Sequence, residues 1–255
     1  MPDFQTKISR DKEDILAAQR LRFDVFYREK KRGMSSSGKD ELDVDDFDPF
    51  CEHLIVREPQ NGQVIGTYRL LLGTNAKRHI GFYSEREFDL QNVKKLRGEM
   101  LELGRTCVHN AYRDKGVINM MWQAIADFVK IYQVQYLFGC ASLYTEDPRE
   151  VGMIFSFLKE KYYSSASLRV HPLQEESFPQ LTWNVEIKDP KAMFCKLPSL
   201  IKGYLRLGAQ ICGPPAMDLE FGTTDFFLLL DIKRMSREYQ RRFGFSGQKV
   251  GCEVG

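Results

Sequence analysis

The 255-residue chain has no apolar run able to cross a bilayer, since its longest, Phe226 to Leu230, falls far short of the roughly 20 residues a spanning helix needs. Its opening, MPDFQTKISRDKED, is charged where a secretory signal would be apolar, so a protein neither exported nor integral to a membrane is expected. Paired cysteines are missing too. Cys51, Cys107, Cys140, Cys195, Cys212 and Cys252 form no CxxC and do not cluster with the four histidines. The pattern offers neither a disulfide framework nor a metal site, and it fits a reduced cytosol. Large net charge is also lacking, because 37 Lys and Arg against 35 Asp and Glu leave +2. Nucleic acid is therefore not an expected partner, and any electrostatic partner must be met by a local patch.

What the chain does have is a globular composition, 43% hydrophobic and 28% charged, with no internal repeat and no linker. Residues 1–255 read as one domain. Asp11 stands where an N-cap would open a helix over Lys12 to Lys30. Residues 31–49, KRGMSSSGKDELDVDDFDP, are rich in Ser, Gly and acid and read as a mobile segment that closes over a substrate. His53–Arg57 and Val64–Leu72 flank Asn61-Gly62, a hairpin signal. Further on, the pattern predicts a helix over Gly116–Tyr132, a strand over Tyr136–Tyr144 and a helix from Asp147-Pro148 to about Tyr162. The last part reads as a helix at Pro198–Leu207, strands at Ala209–Cys212 and Thr223–Ile232, and a final helix at Lys233–Phe243.

Chemistry is concentrated in MLELGRTCVHNAYRDKGVINMMW, Met100 to Trp122. Met100, Leu101, Leu103, Cys107 and Val108 read as a buried strand, so Glu102 and Arg105 are charges where apolar residues are expected. Buried charges have to be paired or used. Paired with each other, the two would be a structural ion pair; aimed into a cleft, they would be catalytic. Residues i and i+3 of a regular strand face opposite ways, so one pocket can receive both only if the strand is interrupted, and Gly104 is where a bulge is expected. An acid-bearing strand followed by Arg113-x-x-Gly116 at a helix start resembles the Gcn5-related N-acetyltransferase (GNAT) superfamily, an α/β fold with a twisted mixed sheet flanked by helices. In that superfamily a pyrophosphate sits at the helix N-terminus, whose first-turn N–H groups and dipole favour anions. Ile118 stands where the superfamily usually has a second small residue, which argues against ordinary coenzyme A.

The pieces LRFDVF, DVDDFDPFCEHLIV, GTYRLL, GFYSEREFDL, ELGRTCVH, YLFGCAS and LIKGYLRLGAQICGPPAMDLEFGTTDFFLLLDI occur in order over most of residues 15–232. Together they resemble the ornithine N-alpha-acyltransferases that make lyso-ornithine lipid, often labelled hemolysin-like. These are in turn similar to acyl-homoserine lactone synthases through the positions Arg22, Asp45 with Asp48, Arg69, and Glu102 with Arg105. The resemblance implies transfer of a long-chain acyl group, with or without a 3-hydroxyl, from acyl carrier protein to the alpha-amine of ornithine or a related amino acid. No bound cofactor is implied. The acyl-phosphopantetheine of the carrier protein is a co-substrate entering between the Glu102 and Tyr136 strands. On this reading Glu102 and Arg105 are catalytic, Arg22, Asp45, Asp48 and Arg69 bind the amino acid, and Cys107, Val108, Arg113, Gly116 and Ser142 bind the donor.

An ammonium cannot attack a thioester, so a base must take its proton, a service worth about 10²–10⁴-fold. Glu102 is the best candidate; His109 is the weaker one. Two basic groups, Lys233, Arg234, Arg237 and Arg241 on a helix whose other face is Met235, Tyr239 and Phe243, and Lys94, Lys95 and Arg97, read either as solvated faces or as docking sites for an acidic carrier protein or anionic lipid. A cytoplasmic enzyme, or one peripheral on the inner face of the cell membrane, follows. One alternative is the same fold with another acceptor, such as glycine, or with a product cyclised to a lactone signal. Another is a non-catalytic membrane-active or lipid-binding protein, against which the lack of a long amphipathic apolar segment counts.

Overall fold

The computed structural model describes residues 4–31, 40–178 and 181–245. Its strands are β1 (Gln5–Ser9), β2 (Glu52–Arg57), β3 (Val64–Leu72), β4 (Phe88–Asp89), β5 (Glu99–Val108), β6 (Val134–Leu143), β7 (His171–Pro172), β8 (Gln210–Ile211), β9 (Ala216–Asp218) and β10 (Thr223–Asp231). The helices are α1 (Lys12–Phe23), α2 (Gly73–Arg78), α3 (Val117–Ile131), α4 (Pro148–Tyr162), α5 (Pro190–Lys196), α6 (Ser199–Leu207) and α7 (Arg237–Arg242). Eight strands make one mixed sheet in the order β1-β2-β3-β5-β6-β10-β8, with β9 added to β10; β4 and β7 pair separately.

Alternation sorts the central strands into two faces. Leu101, Leu103, Leu137, Ala141, Leu143, Phe226, Leu228 and Leu230 meet the apolar stripe of α3, Val117, Met121, Trp122, Ile125 and Val129, and that of α4, Ile154, Phe155 and Leu158. Met100, Phe138, Phe227 and Leu229 point the other way, against Phe47, Phe82, Phe88 and Val93 from loops and short turns. α1 covers the outer part of this second face, where Ala18, Leu21 and Val25 pack on Ile55, Val64 and Cys107.

Two irregularities position the cleft. β5 and β6 run parallel, and their pairing stops at Glu102 opposite Phe138; beyond it β5 continues against β3 and β6 against β10. Gly139 marks the parting point, because a Cβ there would stand 2.3 Å from the Leu103 carbonyl oxygen. Along β5, Thr67 pairs with Cys107 but Arg69 pairs with Gly104, so Arg105 and Thr106 together oppose Tyr68. Arg105 adopts a φ of 52°, the left-handed region. The expected interruption is thus present one residue beyond Gly104, which keeps its own place opposite Arg69.

The hairpin, the Glu102 strand and the helices after Gly116 and Asp147 form where their patterns placed them. The first helix departs from expectation, since regular α geometry ends at Phe23 and Asp24–Glu29 continue as a π-helical stretch. Asp11 sits at the N-cap position, yet its carboxylate pairs with Lys7 at 2.7 Å and caps nothing. The final helix is shorter, a 3₁₀ turn at Ile232–Arg234 preceding α7. Of the segment expected to be mobile, residues 32–39 lie outside the described ones. Asp43, Asp45, Phe47 and Asp48 are buried, so this end of the segment is folded into the protein, which corrects the reading of it as mobile.

Candidate active site

The acids of residues 43–48 are buried because three arginines from three elements meet them. Arg22 of α1 sends a fork to Asp48, Nη1–Oδ1 2.9 Å and Nη2–Oδ2 2.7 Å, and its Nε lies 2.9 Å from Asp43. Arg69 of β3 donates to Asp45 and reaches Asp48 at 3.2 Å. Arg105 of β5 reaches Asp45 at 3.1 Å and Asp43 at 3.6 Å. Gln19 completes Asp48 at 2.8 Å. Three charges of each sign cancel. Burial opposes ionisation of Asp45 and Asp48, but Arg69 and Arg105 outweigh it at Asp45, held at about 2, and Arg22 does so at Asp48, held well below the usual range.

Glu102 does not pair with Arg105. Its carboxylate accepts the backbone N–H groups of Tyr83 and Ser84, each at 2.8 Å, and the Ser84 hydroxyl. Burial pushes it above the ordinary carboxylate range, and the three donors only partly offset that. The result is a relatively basic carboxylate with Oε2 holding a single donor, able to accept a proton from a ligand or a water.

Where β5 and β6 part, a cleft opens with about 1070 Å³ of space, its mouth included. Arg69, Tyr83, Ser84, Glu102 and Arg105 form one wall; Cys140, Ser142, Asp218 and Asp225 face them; Leu103, Pro198, Leu200 and Tyr204 supply an apolar end. Beyond Leu103 and Tyr204 lies a small apolar pocket, closely filled by the side chains that bound it, Trp122, Leu137, Ala209, Leu228 and Leu230 among them. The Tyr204 and Tyr68 hydroxyls stand 2.9 Å apart at this boundary.

The expected site residues divide accordingly. Glu102, Arg105, Arg69 and Ser142 line the cleft. Arg22, Asp45 and Asp48, expected to bind substrate, do not line the cleft; Asp45 holds Arg69 and Arg105, Asp48 holds Arg69, and Arg22 pairs with Asp48 behind them. Cys107 lies under α1, its thiol pushed up to about 12 by burial, and Val108 packs into the core, so neither side chain reaches the cleft. Arg113 is held by Glu29 through two contacts of 2.6 and 2.7 Å, and Gly116, φ 80°, precedes α3 as its N-cap. His109 caps its own turn, its Nδ1 accepting from Ala111 at 3.3 Å. Sequence reasoning missed Tyr83, Ser84, Tyr204, Asp218, Asp225 and the buried Glu87. Asp225, inside TTDFFLLL, carried the same signal as Glu102: an acid within an apolar strand. Among the described residues no helix is long and apolar enough to cross a membrane.

A family model described as an acetyltransferase (GNAT) domain matches residues 21–123. An L-ornithine N(alpha)-acyltransferase of Brucella abortus is 34% identical over 248 residues, covering 94% of this chain and 88% of that protein. Among solved structures, FeeM, an N-acyl amino acid synthase from uncultured soil microbes, superposes with a TM-score of 0.54 at 10% identity, over 97% of this chain and all of the other. The acyl-homoserine lactone synthase LasI gives 0.52 at 16% identity, over 91% of both. These two likenesses establish the fold, a GNAT-type mixed sheet parted at its centre.

Proposed function

From a chain that belongs to the L-ornithine N(alpha)-acyltransferase family, and is thus an acyltransferase, we infer an enzyme that acylates the α-amine of ornithine or a closely related amino acid. The donor on this reading is a long-chain acyl thioester on the phosphopantetheine arm of acyl carrier protein, and the product is an amide destined for a membrane aminolipid. The observation that carries it is Glu102, buried and basic at the point where β5 and β6 separate, between a polar wall and an apolar end.

The chemistry divides along the cleft. The thioester lies between the parted strands and its tail runs toward the apolar end at Leu103, Pro198, Leu200 and Tyr204. The amino acid stands on the polar side, its carboxylate toward Arg69 and Arg105. Glu102 takes the ammonium proton, directly or through a water; the freed nitrogen attacks the carbonyl carbon, the C–N bond forms, the C–S bond breaks, and the second proton that the nitrogen loses on becoming an amide passes to the departing thiolate. A backbone N–H at the Arg105–Thr106 bulge meets the oxygen as negative charge develops on it. Holding the two reactants together contributes more than the base, roughly 7–11 kcal/mol at best. The exposed Lys94, Lys95 and Arg97, or Lys233, Arg234, Arg237 and Arg241, offer the carrier protein or an anionic membrane surface a basic docking site.

Mass spectrometry of lipids from a host producing the chain tests the reading: N-acylornithine should appear with the wild type and be absent with Glu102→Ala. An unchanged lipid profile, with no transfer by the purified protein either, would overturn it.

A further inference from the structure

The arginine network neutralises three aspartates, but three other acids of the same sheet face stand outside it, with Arg105 as the nearby cation for Asp218 and Asp225. Glu87 follows the turn that holds Glu102; Asp218 and Asp225 lie on neighbouring strands β9 and β10. Among the described residues no lysine, arginine or histidine forms an ion pair with any of them. Asp218 and Asp225 line the cleft, and a carboxylate oxygen of Glu87, one of Asp225 and the Cys140 sulfur lie within 4.8 Å of one another. Glu87 is only 5% exposed, and both its carboxylate oxygens are buried without a hydrogen-bond partner. A buried pair of unfilled acceptors is costly, and a ligand bearing several donors would relieve it.

The placement ties this cluster to the reacting end. The Ser84 hydroxyl donates to Glu102 and receives the Cys140 thiol at 3.4 Å, and Cys140 stands beside Glu87 and Asp225. Asp218 and Asp225 thus share one cleft with Glu102, and Glu87 stands directly behind Cys140 and Asp225. We infer that Glu87, Asp218 and Asp225 bind the side-chain ammonium of a dibasic amino acid whose α-amine is at Glu102, and so select ornithine over neutral acceptors. This rests on the acyl-transfer reading above and adds the part of the site that reads the side chain. An ammonium offers three N–H donors and one positive charge, which matches clustered carboxylates. Three methylenes and the α-carbon separate the two nitrogens of ornithine, so a single acceptor presents one to each end of the cleft. Burial, largest in each case, raises both groups, helped by repulsion from Asp225 at Glu87 and from Asp218 at Asp225, so a proton is displaced when the cation arrives.

The test compares ornithine with norvaline, which has the same carbon skeleton without the terminal ammonium, using the full chain. The wild type should prefer ornithine in kcat/KM by about 30-fold or more, the scale of leaving a buried charge partner unpaired. Asp225→Asn and Glu87→Gln should raise KM for ornithine by a similar factor, with kcat within a few-fold and norvaline kinetics unchanged or improved. Equal losses on both acceptors, or no preference in the wild type, would overturn the assignment. So would stoichiometric binding of added zinc chloride that Asp225→Asn abolishes, together with loss of acyl transfer on chelation, since the three groups would then be metal ligands. If the wild type acylates neither amino acid, the acyl-transfer reading fails, and calorimetric titration with ornithine against norvaline still decides the ammonium site: binding of ornithine alone supports it, equal or absent binding refutes it.

Discussion

Arg69 and Arg105, on adjacent strands, share the single carboxylate of Asp45 and are aimed by it into the cleft. Neither guanidinium could be packed this closely to the other without the intervening negative charge. Asp45→Asn should therefore cost about 3–5 kcal/mol of stability, the usual result of breaking a buried pair by removing one partner, and should raise KM for the amino acid. Asp46→Asn, one residue along but with its side chain 86% exposed, should change neither. Urea denaturation of both variants checks this, and equal midpoints would refute it.

Glu102→Gln removes the proton acceptor but also alters an anchor. One amide oxygen can still receive the Ser84 donors, while the new NH₂ group faces the Tyr83 N–H. The variant should lose about 1–3 kcal/mol of stability from that opposed pair, and turnover should fall at least tenfold, within the range for a general base. The two effects separate in the pH profile at a temperature where the variant is folded. Wild-type kcat should rise with pH through an ionisation above the ordinary carboxylate range, and that limb should vanish in the variant. A persisting limb would assign the base elsewhere.

Donor choice can be read at the start of α3. Ile118 stands in its first turn, and the nearby Arg113 is already occupied by Glu29. A pyrophosphate gains little here, so acyl carrier protein thioesters should react far better than the matching coenzyme A thioesters. Comparable kcat/KM for both would contradict this.

Stability should respond to pH in two opposed windows. Asp45 and Asp48 are held below their unfolded values, so their contribution is present above about pH 4 and is lost as pH falls toward 2. Asp225 behaves oppositely: burial first, then Asp218, raises it from 3.8 to about 7, so its folded form binds a proton the unfolded chain has already released. That contribution is present below about pH 4 and is lost as pH rises through about 7. Asp218, Glu87, Cys140, Ser142 and Thr223 face it, with Arg105 as the nearby cation. Asp225→Asn should flatten the fall in melting temperature between pH 4 and 8 while leaving the acid limb intact. An unchanged profile would mean the carboxyl is not held protonated.

Local pattern carried most of the sheet and half of the site. Glu102 and Arg105 were legible because a charge in an apolar strand contradicts its surroundings, and the pleat required an interruption between them, expected at Gly104 and found at Arg105–Thr106. The short β1 and β9 and the turn of α2 carried too few periodic residues to be read. Asp43, Asp45 and Asp48 misled for a physical reason. Composition reports what one segment would do alone in water, whereas their burial depends on arginines 21 to 62 positions away in sequence, a property of the assembled fold. Ser84 had no signal at all, since a hydroxyl in SEREFDL is unremarkable until Glu102 is seen to need it.

The same long separations bear on the order of assembly. Arg22, the acids of residues 43–48, Arg69 and Arg105 can meet only after α1 has docked and β3 has paired with β5, so the ionic cluster closes late and a collapsed chain on the way to it exposes uncompensated charge. Substitutions in the cluster then act on the rate of escape from the folded state and leave the rate of reaching it nearly untouched. For Asp45→Asn the unfolding arm of the chevron should shift upward while the folding arm stays in place; a slowed folding arm would put the cluster in the nucleus. What the three arginines and three aspartates confer is therefore persistence: a lock that engages after the sheet is made and sets how long it stays made.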